Sequence, residues 1–302
     1  MKMSEHEKAY SPSSWSKRFN STEIFVHFFQ LAQKVTNKAR SAVSCELDIA
    51  YGVADRTKYD IYGNNLPNDA PIFIFIHGGY WQEFSKELAC FPVETLVSKG
   101  IKVITIGYSL CPAVTVSDIV AQVKSATAEI LKRARDGGSK NVWIAGHSAG
   151  AHLGASLLHD EEWLATMKHN KCLQLMKGLM LIGGIYNLEP LLRTSYNEAL
   201  KLSTEEVKNL SFGSLKTKEN RHISDIKVIV TVGECDSPIF VRESKNYAQK
   251  LIDFVDNVEF LLLRNSIDHF DIVENLTDPN FILTKIMLWD SHLLRGTRLS
   301  RL

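Results

Sequence analysis

Short apolar segments alternate with amphipathic helical segments along most of the chain. Each apolar segment is too short for a buried helix and lacks polar alternation, which is typical of a strand buried on both faces. Residues 116–135 and 238–255 instead have apolar positions at helical spacing. This alternation predicts an α/β fold, a mostly parallel central sheet with helices on both faces. The predicted strands are residues 71–76, 102–106, 141–146, 178–184, 226–233 and 258–263.

The first 70 residues have a different pattern. Residues 21–40 have apolar positions at helical spacing, and Ser21 or Thr22 can cap this helix at its N-terminus. Two segments with partial alternation, residues 44–52 and 57–63, precede a stretch rich in turn residues. They predict an antiparallel hairpin at an edge of the sheet.

The domain organisation follows from where this pattern changes. We predict a single domain over residues 1–302, with residues 1–42 as an N-terminal segment. Residues 185–225 break the alternation with short, polar, helix-forming pieces between two strands. They predict a small helical cap insertion over the ends of the sheet, and a plain surface excursion is the alternative.

Composition and charge exclude several classes of function. The apolar fraction of 45%, the charged fraction of 23% and the net charge of +1 are those of an ordinary globular protein. They indicate neither a nucleic-acid partner nor a membrane partner. No secretory signal is recognisable, and the five scattered cysteines include no CxxC pair. We therefore expect reduced thiols, no structural metal and a cytoplasmic location, and a homodimer is left open.

The segment from 142 to 158 contains the strongest chemical signal. An apolar strand leads into Gly-His-Ser-Ala-Gly at 146–150, and a helix of small residues follows. This is the G-x-S-x-G motif in its strand–turn–helix setting, in which a sharp turn projects the serine hydroxyl beyond the sheet. An ordinary tight turn does not explain the run of small residues. We predict that Ser148 is a catalytic nucleophile.

A serine nucleophile needs a base and an acid, and this setting predicts the chain order Ser, acid, His. Asp236 follows the strand at 226–233, and His269 follows the strand at 258–263. We therefore assign Asp236 as the acid and His269 as the base. The alternatives are Glu234 and Asp268 for the acid and His292, in a helical tail, for the base.

A second motif, His-Gly-Gly-Tyr-Trp at 77–81, follows the first predicted strand of the parallel sheet. Attack on a carbonyl places negative charge on its oxygen, and donors must already point at that position. The HGGG-type loop and the residue after the nucleophile supply such donors in this architecture. We predict an oxyanion hole formed by the N–H groups of Gly78, Gly79 and Ala149. A phosphate loop is the alternative, but neither GxGxxG nor a Walker lysine accompanies the glycines.

Three more histidines lie near these motifs, and we predict structural roles for them. His77 fixes the glycine loop by a hydrogen bond, His147 packs beside the serine turn, and His152 lies on the helix that follows. His147 and His152 precede the acid along the chain, and so do not fit the expected order.

At this point the sequence resembles the α/β-hydrolase fold and, within it, the kynurenine formamidase (arylformamidase) family. The likeness extends from about residue 5 to 290. Four segments carry it: YSPSSW (10–15), HGGYWQ (77–82), GHSAGAHL (146–153) and DHFDIVENL (268–276). HGGYWQ differs from the HGGG of lipases and esterases by placing Tyr-Trp-Gln where a third glycine would stand.

The resemblance implies a serine hydrolase that converts N-formyl-L-kynurenine to L-kynurenine and formate in tryptophan catabolism. It implies a small-molecule substrate and no cofactor or metal. Tyr80 and Trp81 are then expected to hold the aromatic ring, with Trp15 contributing from the N-terminal segment. The alternatives are a small-acyl carboxylesterase of the same fold and a non-catalytic binding protein.

Overall fold

A computed structural model describes residues 3–215 and 222–292, and the strands form one sheet of eight. The strands are β1 (Cys45–Ala50), β2 (Lys58–Tyr62), β3 (Ile72–Ile76), β4 (Lys102–Ile106), β5 (Val142–His147), β6 (Met176–Ile182), β7 (Ile223–Gly233) and β8 (Val255–Leu263). Their order is β1-β2-β4-β3-β5-β6-β7-β8. The β1–β2 and β2–β4 pairs are antiparallel, and all remaining pairs are parallel.

The predicted strands are all present, and the sequence located most of their ends within two residues. The edge hairpin is also confirmed, as β1 and β2. The largest differences are at β7 and β8, which each begin three residues earlier than predicted. β7 thus starts inside the segment predicted as the cap.

Helices cover both faces of the sheet, as the alternating pattern predicts. The α-helices are α1 (Glu5–Ala9), α2 (Glu23–Ala42), α3 (Val93–Val97), α4 (Val116–Asp136), α5 (Ala149–Ser156), α6 (Glu161–His169), α7 (Asn197–Leu200), α8 (Thr204–Leu210), α9 (Pro238–Leu251), α10 (Asp271–Glu274) and α11 (Ile282–His292). Short 3-10 helices are Pro12–Ser14, Lys86–Leu88, Leu157–His159, Leu173–Leu175, Glu189–Arg193 and Asn275–Thr277. No helix in the described part of the chain is both long and apolar enough to cross a bilayer.

Two hydrophobic clusters, one on each face, hold the helices to the sheet. Successive side chains of a strand point to opposite faces, so the fully buried strand β3 contributes to both clusters. Ile74 belongs to the cluster that contains residues of α4, α5 and α9, whereas Phe73 and Phe75 belong to the cluster that contains residues of α2, α3 and α11. Burial on both faces explains why the strands are continuously apolar.

The N-terminus of α2 is capped differently from the prediction. The side-chain Oδ1 of Asn20 accepts hydrogen bonds from the N–H groups of Thr22 and Glu23, both at 3.0 Å. Thr22 has a helical backbone conformation, and its own side chain makes no capping bond. Asn20 therefore takes the role that the sequence assigned to Ser21 or Thr22.

Short helices occupy the segment between β6 and β7, where the sequence predicts a cap. Glu189–Arg193, α7 and α8 are its helical pieces. Residues 216–221, which belong to the predicted cap, lie outside the described residues. The N-terminal residues 4–18 contact this segment: Ser195 binds Glu7, and the hydroxyl groups of Tyr196 and Ser11 lie 3.2 Å apart.

Candidate active site

Ser148 lies on a strained turn between β5 and α5. Its φ is 56° and its ψ is −119°, a region that non-glycine residues rarely adopt. Its amide N–H donates to the carbonyl of Ile182 on the neighbouring strand β6 at 2.8 Å, which fixes the turn against the sheet. The turn therefore has the sharp geometry that the G-x-S-x-G motif predicts.

A histidine and an aspartate meet at the same edge of the sheet. Asp236 follows β7, and His269 follows β8. The Nδ1 of His269 donates to Oδ2 of Asp236 at 2.6 Å, and both side chains are buried. The N–H of Ser237 donates to Oδ1 of the same carboxylate at 2.6 Å. The imidazole is thereby held with Nδ1 on the acid and Nε2 available for another group.

His147 connects the serine turn to the histidine turn. Its Nε2 donates to the backbone carbonyl of His269 at 2.8 Å, and the two ring centroids are 4.6 Å apart. Burial and the neighbouring His269 lower the pKa of His147 well below its usual value, so that this ring is neutral at pH 7. His147 packs beside the turn, as predicted from the sequence.

The other candidate acids have different partners. Glu234 accepts a hydrogen bond from the N–H of Ser266 at 2.7 Å, and Asp268 is bound by Arg18 at 2.9 Å. His292, the alternative candidate for the base, is the last residue of α11. Asp236 is therefore the carboxylate that the structure places on the Nδ1 of His269.

The glycine loop after β3 lies directly against the serine turn. A Cβ atom on Gly78 would stand 3.0 Å from the Cβ of Ser148 and 2.9 Å from the carbonyl oxygen of His147, so a side chain there does not fit. Within residues 3–215 and 222–292, the amide N–H groups of Gly78, Gly79 and Ala149 donate to no backbone or side-chain acceptor. The amides predicted for the oxyanion hole are thus available to a ligand.

The glycine loop continues through a series of left-handed residues. Gly79 has a φ of 102°, and Tyr80, Trp81 and Phe84 have φ values of 47°, 56° and 68°. The Tyr108 hydroxyl holds the start of the loop, because it lies 2.8 Å from the His77 carbonyl and 3.2 Å from that of Gly78. Such backbone strain persists only where surrounding contacts over-determine it.

His77 and His152 have the structural placements predicted from the sequence. The His77 Nδ1 donates to the Gly78 carbonyl at 2.8 Å, and its ring stacks on Tyr108 with centroids 4.1 Å apart. His152 lies on α5 and donates through Nε2 to the Leu210 carbonyl at 2.8 Å. Burial lowers the pKa of His77 to about 3 and that of His152 to about 4.

The three aromatic residues predicted to hold a substrate ring have different environments. Tyr80 is 9% exposed and stacks on Tyr196 with centroids 3.9 Å apart. Trp81 has no exposed surface and packs edge-to-face on His152. Trp15 is partly exposed, and its indole N–H donates to the Lys8 carbonyl at 2.9 Å. Of the three, Tyr80 is the one joined to the other aromatic rings beside His269.

Two further aromatic rings lie beside the site and were not predicted from the sequence. Phe240 lies edge-on to the His269 ring with centroids 5.1 Å apart, and Tyr196 covers one face of Tyr80. Phe240 lies on α9, one helical turn after Asp236. The sequence could have indicated this position, because a helix that directly follows the acid loop packs beside it. Tyr196 comes from the segment between β6 and β7, where the sequence offered no such signal.

Comparisons with known proteins agree with this geometry. Residues 59–251 match the BD-FAE protein family. The chain is 35% identical over 299 residues to the kynurenine formamidase of Danio rerio, covering 95% of this chain and 96% of that protein. The chain is a member of the BD-FAE and kynurenine formamidase families. The kynurenine formamidase of Drosophila melanogaster is 27% identical over 277 residues, covering 89% of this chain and 91% of that protein.

Solved structures give the same fold for this kynurenine formamidase family member. A crystal structure from silicibacter sp. tm1040, provisionally described as a thioesterase, aligns with a TM-score of 0.74 at 28% identity and covers 94% of this chain and 99% of its own. The esterase LipW from Mycobacterium marinum aligns with a TM-score of 0.58 at 16% identity over 90% of this chain and 88% of its own, which concerns the fold alone. The predicted α/β-hydrolase fold is confirmed.

Proposed function

We propose that the protein is an arylformamidase, a serine hydrolase that converts N-formyl-L-kynurenine to L-kynurenine and formate. The observation that carries the chemistry is the 2.6 Å hydrogen bond between His269 and Asp236 at the edge where Ser148 occupies its strained turn. The relatives named kynurenine formamidase, which match nearly the whole chain, support the choice of substrate.

In the first half of the reaction the formyl group is transferred to the enzyme. Ser148 attacks the formyl carbon while Nε2 of His269 takes the hydroxyl proton. Asp236 stabilises the imidazolium that forms, and the amides of Gly78, Gly79 and Ala149 stabilise the negative oxygen. The carbon–nitrogen bond then breaks, and His269 gives its proton to the departing aromatic amine.

In the second half, water releases the formyl group. His269 takes a proton from the water, whose oxygen attacks the formyl carbon of the formyl-serine. The bond to the Ser148 oxygen breaks, and the proton returns to that oxygen, leaving free enzyme and formic acid, which ionises to formate by releasing its proton to solvent. Every proton transfer uses the one imidazole that Asp236 orients.

The close approach of the glycine loop supports a small acyl group. Gly78 lies against the Cβ of Ser148, and a Cβ on Gly78 would be only 3.0 Å away. Formyl is the smallest acyl group and needs no further acyl pocket. On the acyl side of the substrate, the enzyme therefore needs mainly a binding position for the negative oxygen.

Aromatic rings beside the imidazole support an aryl leaving group. Phe240 contacts His269 edge-on, Tyr80 lies near Phe240 with ring centroids 6.4 Å apart, and Tyr196 stacks on Tyr80. We assign Tyr80 to the substrate ring, Trp81 to the support of Tyr80 from the core, and Trp15 to the outer end of the site.

The remaining parts of the proposal concern organisation and location. The short helices between β6 and β7 serve as a cap, since Tyr196 reaches the site from them. The chain acts as one domain, which the single sheet supports. The five free cysteines support a reducing compartment, and we assign the cytoplasm.

The test is hydrolysis of N-formylkynurenine by the wild type and by Ser148→Ala. We expect kcat to fall by at least about 10⁴-fold, because the covalent step is lost. Ser156→Ala is the matched control, since Ser156 is also buried on the α5 segment but donates to the Leu153 carbonyl. Wild-type activity in Ser148→Ala would show that the nucleophile is wrong.

The competing function is a small-acyl carboxylesterase. Two isoprenylcysteine alpha-carbonyl methylesterases from Oryza sativa also match, but each match covers only 37% of this chain. Comparing kcat/KM for N-formylkynurenine with that for a nitrophenyl ester separates the two. Because esters are the more reactive substrates, weak ester hydrolysis alone does not decide between the two functions. A kcat/KM that is higher for the ester than for N-formylkynurenine would favour the esterase.

A further inference from the structure

The N-terminal residues 4–18, here called the strap, lie across the loops that carry the proposed catalytic groups. Beside Asp236, the Ser237 hydroxyl donates to the Ala9 carbonyl. On the glycine loop, the Tyr80 hydroxyl donates to the Tyr10 carbonyl at 2.5 Å. Two of the site's loops are thus bound to the strap.

Arg18, at the end of the strap, connects the strap to a third loop of the site, the turn of His269. The Arg18 guanidinium binds both oxygens of Asp268, with Nε 2.9 Å from Oδ2 and Nη2 3.1 Å from Oδ1. The Ser16 hydroxyl donates to Oδ2 of the same carboxylate at 2.6 Å. Asp268 is 1% exposed and precedes the histidine directly. This fork is the pairing that arginine forms and lysine cannot.

The Asp268 carboxylate in turn binds the backbone that directly follows His269. Its Oδ1 accepts the N–H groups of Phe270 at 2.8 Å and Asp271 at 2.9 Å. Burial opposes its ionisation, but the hydrogen bonds from Arg18 and Ser16 outweigh burial and lower the pKa of Asp268 to about 2. Asp268 therefore remains a charged acceptor at neutral pH.

Arg18 also pairs with two further carboxylates, both on α10. Its Nη1 lies 2.7 Å from Oε2 of Glu274, and its Nε lies 3.6 Å from Oδ2 of Asp271. Loss of the guanidinium would leave the charges of Asp268 and Glu274 without this cation, beside Asp271, whose pKa is already raised by burial and by the neighbouring Asp268. The turn that carries His269 would then have to move or admit water.

We propose that Arg18 is a positioning residue for His269. Through Asp268, it holds the imidazole in the direction that deprotonates Ser148. The inference rests on the proposed function only in taking His269 as the base, and it adds a contribution of the N-terminal strap to catalysis. Small misplacements of a catalytic group cost about 10²-fold, so the effect is measurable.

The experiment compares Arg18→Lys and Arg18→Ala with the matched control Arg40→Lys. Arg40 pairs with Asp60 at 3.1 Å, and the two side chains are 32% and 0% exposed. The side chains of Arg18 and Asp268 are 27% and 1% exposed, so the two ion pairs are comparably buried. The first readout is the rate at which a fluorophosphonate labels Ser148. The second is kcat and KM for N-formylkynurenine.

We expect Arg18→Lys to lower both the labelling rate and kcat about tenfold with KM within about twofold. Arg40→Lys should leave both rates at the wild-type level. Added guanidinium should restore part of the labelling rate of Arg18→Ala, which a loss of folding would not allow. If Arg18→Ala does not fold, Arg18→Lys carries the test because it keeps the charge and removes only the fork.

Three outcomes overturn the inference: wild-type labelling in folded Arg18→Lys, an equal loss in Arg40→Lys, or no labelling of the wild type at Ser148. The last also removes the proposed nucleophile. Labelling that depends on Arg18 in a protein that does not hydrolyse N-formylkynurenine supports the positioning role and refutes the substrate.

Discussion

Two strained turns lie side by side at the same edge of the sheet, and they are held in different ways. The serine turn follows β5, with Ser148 at a φ of 56°. The glycine loop follows the adjacent strand β3, with Tyr80 and Trp81 at φ values of 47° and 56°. The serine turn is fixed by small residues and by a bond to the adjacent strand β6. The glycine loop is fixed by tyrosine hydroxyls, one of which donates to the carbonyl of Tyr10 in the strap.

The difference shows that similar backbone strain can be maintained either by residues close in sequence or by residues far apart in sequence. The serine turn depends mainly on close contacts within a few residues, such as that of Gly146 with Gly150, so a five-residue motif describes it, and the bond to Ile182 adds one contact from the neighbouring strand. The glycine loop needs Tyr108 and the carbonyl of Tyr10, which no motif around residue 78 contains. Changes inside each turn, and changes at the distant anchors, should therefore have separable effects on stability and on activity.

Among substitutions that test the contrast between the two turns, the largest effect is expected for Gly79→Ala, inside the glycine loop. Gly79 has a φ of 102°, and its Cβ would overlap the carbonyl group of Glu83. The loop must shift, which moves two proposed oxyanion donors. We expect kcat for N-formylkynurenine to fall about 10²- to 10³-fold, the usual cost of losing an oxyanion donor.

Gly100→Ala is the matched control for that substitution. Gly100 also has a positive φ, 79°, but no atom lies within 4 Å of its Cβ position. It shares the backbone strain and lacks the collision, so kcat should stay at the wild-type value. Equal losses in the two variants would mean that strain alone, rather than displacement of the donors, accounts for the effect.

The next effect concerns the serine turn, through Gly146→Ala. A Cβ on Gly146 would overlap the carbonyl group of Gly150, in backbone that cannot move aside. We expect the free energy of unfolding in urea to fall by about 3 kcal/mol. Gly154→Ala on α5 is the control, because its Cβ would stand 3.3 Å from the movable end of Leu181. A loss below about 1 kcal/mol in Gly146→Ala would contradict local steric control of the turn.

The same contrast explains what the sequence could predict. The parallel strands follow from continuous apolar runs, and the proposed catalytic residues Ser148, Asp236 and His269 follow from a motif and its chain order. The contacts of the strap were not predictable, because they join residues that are 70 positions apart, as Tyr10 and Tyr80 are, or 250 positions apart, as Arg18 and Asp268 are. Those contacts form only when the completed fold places the strap against the loops at the edge of the sheet. For the same reason, the sequence predicted that residues 77–81 form the loop and did not predict what anchors it.

A smaller effect is expected from the pH dependence of stability, through His77 in the glycine loop. Burial lowers its pKa from 6.5 to about 3, so the unfolded chain takes up this proton first as the pH falls. The stability that neutral His77 contributes is complete above about pH 6.5 and is lost towards pH 3. The loss approaches 1.4 kcal/mol per pH unit, or about 2 kcal/mol from pH 7 to pH 5.

His77→Asn tests this dependence. Asparagine can keep a donor for the Gly78 carbonyl but does not titrate. We expect the free energy of unfolding to fall less steeply between pH 7 and pH 5 in this variant than in the wild type. The control is His169→Asn, at an exposed position at the end of α6, which should leave the slope unchanged. An unchanged slope in His77→Asn would mean that the loop histidine is not held neutral.

The smallest effect is expected for Tyr80→Phe, which keeps the ring and removes only the bond to the strap. The hydroxyl bond to the Tyr10 carbonyl is lost, at a cost of about 1 kcal/mol. Because that bond holds the glycine loop, we expect kcat for N-formylkynurenine to fall about fivefold along with the free energy of unfolding. Tyr59→Phe removes a comparable buried hydroxyl bond, 2.8 Å to Glu129, away from the loop, and should lose stability alone. If kcat in Tyr80→Phe equals that of the wild type, the bond to the strap does not hold the glycine loop. The two turns would then not differ in their dependence on this distant contact.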